Sequence, residues 1–143
     1  MIELPHELAE TLVEHARASS PREACGIVAG RDGSVSRVYS IRNAAPGVAR
    51  FRLDTREYAL AMRRLLSDGL RVIGFFHSHP RTRAIPSDGD TSAAYRRDTS
   101  TGERIPRHPE AAHLILSLSS PVPELRAFRF VDGEPREERV LLT

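Results

Sequence analysis

The sequence contains 143 residues, of which 40% are hydrophobic and 28% are charged, which is ordinary for a soluble globular protein and predicts a single domain over residues 1–143. All 21 basic residues are arginines, interleaved with 19 acidic residues and without the basic stripe of a nucleic-acid surface, so no nucleic-acid partner is expected. No apolar run reaches transmembrane length, and residues 1–5 lack the features of a signal peptide, so we expect a cytoplasmic protein without a membrane partner.

The first half of the chain has the pattern of helix, two strands and helix. Leu8, Leu12 and Ala16 recur at helical spacing, which predicts the first helix. The single cysteine, Cys25, lies in an apolar strand pattern, where a buried and unreactive thiol is the expected state. The predicted elements are a helix ending near residue 18, strands over 24–29 and 34–43, and a helix over 54–68.

The second half begins with an apolar, uncharged run at residues 72–76, which predicts a strand buried on both faces and ended by Pro80. Residues 97–109 have no apolar period and contain several turn formers, so they are predicted to form an exposed, mobile loop. The other predicted elements are a short helix over 88–96, strands over 113–118 and 125–130, and an edge strand over 136–142. Together these patterns predict an α/β domain with one mixed or antiparallel sheet.

Two histidines at the end of the apolar strand suggest a metal site. His77 and His79 are two residues apart, so in a strand they project from the same side and can face one point. The loop that follows is long enough to return the carboxylate of Asp90 to that point. Two imidazoles and one carboxylate suit zinc and leave a fourth position for water, as in catalytic sites. The alternative is a strand-end histidine pair with ordinary surface partners.

The segment from Ser87 to Asp90 has a second interpretation, because Ser-x-x-Asp also resembles the capping signature at a helix start. Both interpretations can hold, since a carboxylate in the first turn is favoured by the helix dipole. The remaining histidines lack the spacing of the pair, and we interpret them as solvated or structural: His6, His15, His108 and His113.

The sequence His-Ser-His-Pro at residues 77–80, followed by Pro-Ser-x-x-Asp at residues 86–90, resembles the signature of the JAMM (MPN-plus) metalloproteases. The resemblance extends over nearly the whole chain. It implies a cytidine-deaminase-like α-β-α MPN domain, in which helices flank a mixed, largely antiparallel central sheet.

The same resemblance implies a role for each signature residue. His77, His79 and Asp90 would bind one Zn²⁺ per chain, and Ser87 would help to stabilise the oxyanion. The family also carries a general-base glutamate near the first strand, and Glu23 stands where that residue is expected. A deaminase on a similar fold is disfavoured, because no Pro-Cys-x-x-Cys follows the histidine segment.

Residues 51–54, 77–80 and 123–133 resemble a branch of the family, the small actinobacterial peptidases of cysteine biosynthesis. This resemblance implies a zinc metallopeptidase whose partner is a ubiquitin-like sulfur carrier ending in Gly-Gly and whose product is cysteine. Trimming of the carrier's C-terminal tail and removal of the carrier from protein lysines are alternatives within the family. A non-catalytic MPN interaction scaffold is the alternative of another class. The predicted edge strand near the C-terminus is compatible with a homodimer.

Overall fold

The structure is a computed structural model that describes residues 1–143. It contains three helices and ten strands. The helices are α1 (His6–Ser19), α2 (Thr55–Ser67) and α3 (Asp88–Ala93). The strands are β1 (Ile2–Leu4), β2 (Cys25–Arg31), β3 (Ser34–Ile41), β4 (Arg71–His79), β5 (Tyr95–Arg97), β6 (Arg104–Pro106), β7 (Ala112–Ser117), β8 (Glu124–Val131), β9 (Glu134–Glu138) and β10 (Val140–Leu142).

Eight of the strands form one sheet in the order β10-β1-β3-β2-β4-β7-β8-β9, and β5 and β6 form a separate pair. Antiparallel pairing joins β2 to β3 and β4, and β8 to β7 and β9. Parallel pairing joins β4 to β7, and β1 to β3 and β10. The predicted mixed α/β architecture is therefore confirmed, and β4, which carries the histidine pair, lies in the interior of the sheet.

The two long helices cover opposite faces of this sheet. Leu12 of α1 packs in one buried cluster with Phe76, whereas Leu65 of α2 packs in a second cluster with Phe75. Because Phe75 and Phe76 are neighbours on β4, that strand is buried on both faces, as its apolar run predicted. Strand β4 is thus a rigid base for side chains at its end. None of the three helices has the length and apolar composition needed to cross a membrane.

The prediction of a loop without strands over residues 97–109 is wrong, because the chain forms a β-hairpin there from β5 and β6, but most of these residues are exposed as predicted. The carboxylate of Asp98 closes the turn by accepting hydrogen bonds from the backbone N–H groups of Ser100 and Thr101. Buried Tyr95 anchors the hairpin to the main sheet, since its hydroxyl accepts a hydrogen bond from the Gly133 N–H at 2.8 Å. The hairpin is therefore stabilised by polar contacts in its turn and by one long-range hydrogen bond, and not by a periodic apolar face. The helix predicted over 88–96 is shorter for the same reason and ends at Ala93.

The predicted edge strand over residues 136–142 is in fact two strands, β9 and β10, which stand at the two ends of the strand order. Strand β9 pairs with β8, and directly after Arg139 the chain pairs as β10 with β1. Strand β1 was not predicted, because its three residues are too few to show a periodic pattern. Its formation depends on its neighbours β3 and β10.

Close backbone packing between β2 and β3 requires a glycine at position 26. A Cβ atom there would clash with the carbonyl oxygen of Tyr39 and approach a ring carbon of Phe76 to 2.5 Å. We expect Gly26→Ala to lower the free energy of unfolding by roughly 2–3 kcal/mol, measured by urea denaturation. The control is Gly89→Ala in α3, where the nearest atom to the new Cβ is 3.7 Å away and the change should be neutral or stabilising. Equal losses in both variants would contradict the steric argument.

Candidate metal centre

The histidine pair lies at the buried end of β4. His77 and His79 are 2% and 4% exposed, and their Nε2 atoms approach to 3.1 Å on the same face of the strand. Strand β2 pairs with His77 through Cys25, and strand β7 pairs with His79 through Ser117. Pairing on both sides fixes the backbone from which the two imidazoles project, as the strand period predicted.

The start of α3 brings a carboxylate to the two imidazoles. Ser87 is the N-cap: its Oγ accepts a hydrogen bond from the Asp90 N–H at 3.0 Å, and its own N–H donates to Asp90 Oδ2 at 2.9 Å. The same Oδ2 atom lies 3.1 Å from His77 Nε2 and 3.0 Å from His79 Nε2. Both interpretations of the Ser-x-x-Asp sequence therefore describe the structure, because the capping box orients the carboxylate toward the histidines.

Glu23 joins this cluster from the residues that precede β2. It is 7% exposed, and it forms a group with His77, His79 and Asp90 in which one potential ligand atom from each lies within 4.8 Å of the others. Its Oε1 atom is buried and has no hydrogen-bond partner in the protein. Burial, followed by the negative charge of Asp90, raises the pKa of Glu23 from its ordinary value of 4.5 to about 7. A carboxyl group with such a pKa can exchange a proton near neutral pH.

The three converging side chains have different charge preferences. Burial opposes ionisation of Asp90, but the hydrogen bonds to His77 and His79 lower its pKa. Burial lowers the pKa of His77. Burial also acts on His79, but the hydrogen bonds with Asp90 and with the Arg83 carbonyl outweigh it and raise the pKa of His79. An ionised carboxylate thus lies between one neutral imidazole and one that readily holds a proton.

These three side chains fit a divalent metal ion. His79 Nδ1 lies 2.8 Å from the carbonyl oxygen of Arg83, which places the N–H of the neutral ring on Nδ1 and leaves the lone pair of Nε2 to face the cluster as a metal ligand. The three facing atoms are 3.0–3.1 Å apart, close to the spacing of about 3.3 Å between ligands of a tetrahedral ion with bonds of about 2.0–2.1 Å. The ring of His77 is held by Phe51, which stacks on it at 4.4 Å with 17° between the planes.

Comparison with known families identifies the family to which this fold belongs. The profile of the family described as prokaryotic homologs of the JAB domain matches residues 5–131. The chain belongs to this JAB-domain family. The predicted family is confirmed, and all five signature residues of this JAB domain lie within the matched range.

Two curated relatives of this JAB domain are informative. It is 35% identical over 138 residues to the CysO-cysteine peptidase of Mycobacterium tuberculosis (strain H37Rv). The alignment covers 94% of this chain and 86% of that protein. It is 32% identical over 92 residues to the probable TtuB-protein conjugate cleaving protease of Thermus thermophilus. That alignment covers 64% of this chain and 62% of that protein.

Solved structures show the same fold. The protein DSY2949 from Desulfitobacterium hafniense is 33% identical, with a TM-score of 0.84 over 100% of this chain and 93% of that one. A structure described as a metalloprotease-like JAMM zinc site in the proteasome and signalosome is 18% identical, with a TM-score of 0.54 over 99% of this chain and 98% of that one. The second likeness is evidence for the fold alone.

A cleft of about 640 Å³ adjoins the cluster, and His77 and Asp90 form part of its wall. His108 and His113, which we interpreted as structural, also line it. Sequence reasoning missed them because neither shares the spacing of the ligand pair. The main apolar lining comes from Phe51, Leu53, Tyr58, Phe75, Ile115 and Phe130. The JAB domain thus offers a substrate an apolar space directly beside the candidate metal ligands.

His113 makes the stability of this JAB domain depend on pH. Burial, followed by the neighbouring His77 and His108, lowers the pKa of His113 from 6.5 to about 4. The folded protein therefore favours the neutral ring. The contribution of His113 to the free energy of unfolding is fully present above pH 6.5 and is lost as the pH falls toward 4, because the unfolded chain takes up the proton first. The loss is at most about 3 kcal/mol.

We expect His113→Phe, which keeps a ring against Phe130, to remove this component. The free energy of unfolding of the metal-free variant should then fall less between pH 7 and pH 5 than that of the metal-free wild type, as measured by urea denaturation. The same slope in both proteins would contradict the burial argument.

Proposed function

We propose that this protein is a zinc-dependent metallopeptidase that cleaves the amide bond at the C-terminal glycine of a ubiquitin-like sulfur carrier and releases cysteine. The convergence of Glu23 with His77, His79 and Asp90 is the observation that supports it most directly. A buried carboxyl group beside three metal-type ligands is suited to hydrolysis of an amide. The 35% identity to a CysO-cysteine peptidase over 94% of the chain supports the choice of substrate.

We assign one Zn²⁺ per chain to His77, His79 and Asp90. Two imidazoles and one carboxylate leave a fourth tetrahedral position, which is the arrangement of catalytic zinc sites. When bound, the ion supplies Lewis-acid polarisation of the scissile carbonyl and lowers the pKa of a water molecule. The hydrogen bond from His79 Nδ1 to the Arg83 carbonyl supports the assignment, because it keeps that ring in the ligand orientation.

Glu23 is the general base in this proposal. Its carboxylate takes a proton from the attacking water and then delivers the proton to the amine that leaves. The products are a carboxylate on the carrier and the free amine of the released amino acid. The pKa of about 7 supports this role, because a group with a pKa near the working pH both accepts and returns a proton.

Ser87 is the oxyanion donor in this proposal. Its Oγ already accepts the Asp90 N–H, so its own O–H is available to donate to the developing charge. We expect Ser87→Ala to lower kcat by about a hundredfold through loss of this donor and to lower the free energy of unfolding by about 1 kcal/mol through loss of the cap. Steady-state kinetics and urea denaturation measure the two effects. Ser92→Ala, in the same helix but outside the cap, should change neither, and an unaffected kcat in Ser87→Ala would remove Ser87 from the mechanism.

A second candidate substrate is a carrier attached to protein lysines, and the likeness to a TtuB-protein conjugate cleaving protease supports it. Incubating the zinc-loaded protein with a carrier–cysteine conjugate, a carrier with a C-terminal extension and a carrier–lysine conjugate separates the alternatives. Mass spectrometry should show loss of cysteine from the first conjugate, and a chelator should stop it. Cleavage of only the second or third would reassign the substrate, and cleavage of none would favour the non-catalytic scaffold.

The proposal includes a cytoplasmic location, one functional domain over residues 1–143 and a carrier that ends in Gly-Gly. It also includes a homodimer through the edge strand β10, where Leu141 and Leu142 are 37% and 46% exposed. Light scattering would report a mass of twice the 15.9 kDa chain if this pairing forms, and of one chain if it does not.

A further inference from the structure

The side-chain amide of Asn43 joins three parts of the chain through four hydrogen bonds. Its Nδ2 donates to the carbonyl oxygens of Glu23 and Arg50, both at 3.0 Å. Its Oδ1 accepts from the N–H groups of Ala45 at 2.9 Å and Arg52 at 3.1 Å. Both donors and both acceptor positions of the amide are therefore used, so its orientation is fully specified.

The bonds to residues 45, 50 and 52 hold the segment over residues 44–52, which contains no helix or strand. This segment carries Phe51, whose ring stacks on His77 and lines the cleft. The guanidinium of Arg22 adds hydrogen bonds to the carbonyl oxygens of Asn43 and Ala45. The backbone closes the ends of this segment with one hydrogen bond, from the Ala44 N–H to the Arg52 carbonyl at 2.8 Å, and the side-chain contacts hold the residues between them.

The bond to the Glu23 carbonyl concerns the general base directly. Glu23 Oε1 has no hydrogen-bond partner in the protein, and no other side-chain hydrogen bond holds this carboxyl group. Its position is therefore set by its backbone. On the other side of that backbone, Ser78 between the two histidines accepts the Ala24 N–H on its Oγ at 2.7 Å. The chain at Glu23 is thus held between Asn43 and strand β4.

We propose that Asn43 is a positioning residue that holds the backbone of Glu23 and the Phe51 segment in one fixed relation to the metal ligands. This role rests on the proposed function, because it acts through Glu23 as general base. Asn43 touches no reacting atom itself. It determines where the carboxyl group stands relative to the attacking water, and displacements of about 1 Å at that point can cost up to about a hundredfold in rate.

Asn43→Asp tests the donor half of the amide. The carboxylate has the same shape and still accepts from the Ala45 and Arg52 N–H groups, but it meets the Glu23 and Arg50 carbonyls with an oxygen in place of an N–H₂. We expect kcat for the carrier–cysteine conjugate to fall by about tenfold, with one zinc ion per chain retained. Asn43→Ser is a second variant should Asn43→Asp not fold, because a hydroxyl group can replace only some of the four hydrogen bonds of the amide.

A double-mutant cycle with Glu23→Gln separates positioning from a general structural effect. If Asn43 acts through Glu23, Asn43→Asp should change the residual kcat of the Glu23→Gln protein by less than about twofold. The matched control is Arg42→Ala, whose side chain is 64% exposed and binds Asp54 at 2.7 Å, outside the site. It should leave kcat within about twofold in both backgrounds.

The outcomes are distinguishable. An active wild type in which Asn43→Asp loses the same factor with and without the Glu23 carboxyl group overturns the role of Asn43 alone. A zinc-loaded wild type that cleaves no conjugate overturns the proposed function, and this role with it. A tenfold loss that disappears in the Glu23→Gln background supports both.

Discussion

Glu23→Gln should lower the turnover of a carrier–cysteine conjugate by at least about a hundredfold while the protein keeps one zinc ion per chain. Glutamine has the shape of glutamate but cannot carry the proton from water to the leaving amine. Glu23 is the member of the four-residue cluster that does not contact the other three by a hydrogen bond, so its replacement leaves the ligand set intact. Steady-state kinetics and elemental analysis measure the two quantities.

The control for this variant is Glu10→Gln, which makes the same chemical change on the exposed side of α1. It should leave both turnover and zinc content unchanged. Full turnover by Glu23→Gln would show that another group moves the proton. Loss of zinc from Glu23→Gln would show instead that Glu23 is a ligand.

His77→Ala should lose stoichiometric zinc and lower turnover by about a thousandfold or more, because two ligands cannot hold the catalytic ion. The wild type should be stabilised by added zinc, since an ion that binds only the folded state raises the free energy of unfolding. The variant should not respond. Elemental analysis after dialysis and thermal unfolding with and without zinc measure these effects.

His6→Ala is the control for His77→Ala, because His6 is an exposed histidine at the start of α1. It should keep the zinc content, the turnover and the zinc-dependent stabilisation of the wild type. If His77→Ala retained one zinc ion per chain, the ligand set would have to be reassigned among His79, Asp90 and Glu23.

The parts of the site that obey local rules could be predicted from the sequence. The alternation of side chains along a strand placed His77 and His79 on one face, and the structure shows them 3.1 Å apart. The Ser-x-x-Asp spacing predicted the helix start that orients Asp90. Glu23 could be assigned only through the family resemblance, because its approach to the histidines depends on the pairing of β2 with β4.

The parts that were missed depend on contacts between distant segments. Strand β1 exists because β3 and β10 flank it, and the β5–β6 hairpin is anchored by Tyr95 to the turn at Gly133. The four hydrogen bonds of Asn43 leave no periodic signal, since a side-chain amide that binds backbone groups imposes no spacing on the residues around it. Cys25 followed the prediction: it is buried, donates to the Ile41 carbonyl, and burial raises its pKa to about 12.

The three candidate ligands are carried by elements of different stability, and this difference affects how the ion exchanges. His77 and His79 project from a strand paired on both sides, whereas Asp90 belongs to a six-residue helix that has no buried residue of its own. So short a helix opens at a lower free-energy cost than an interior strand. Uptake and release of the ion should therefore proceed by transient unwinding at Ser87. Without zinc, amide hydrogen exchange should be faster over α3 than in β4, and it should slow over α3 when zinc is bound.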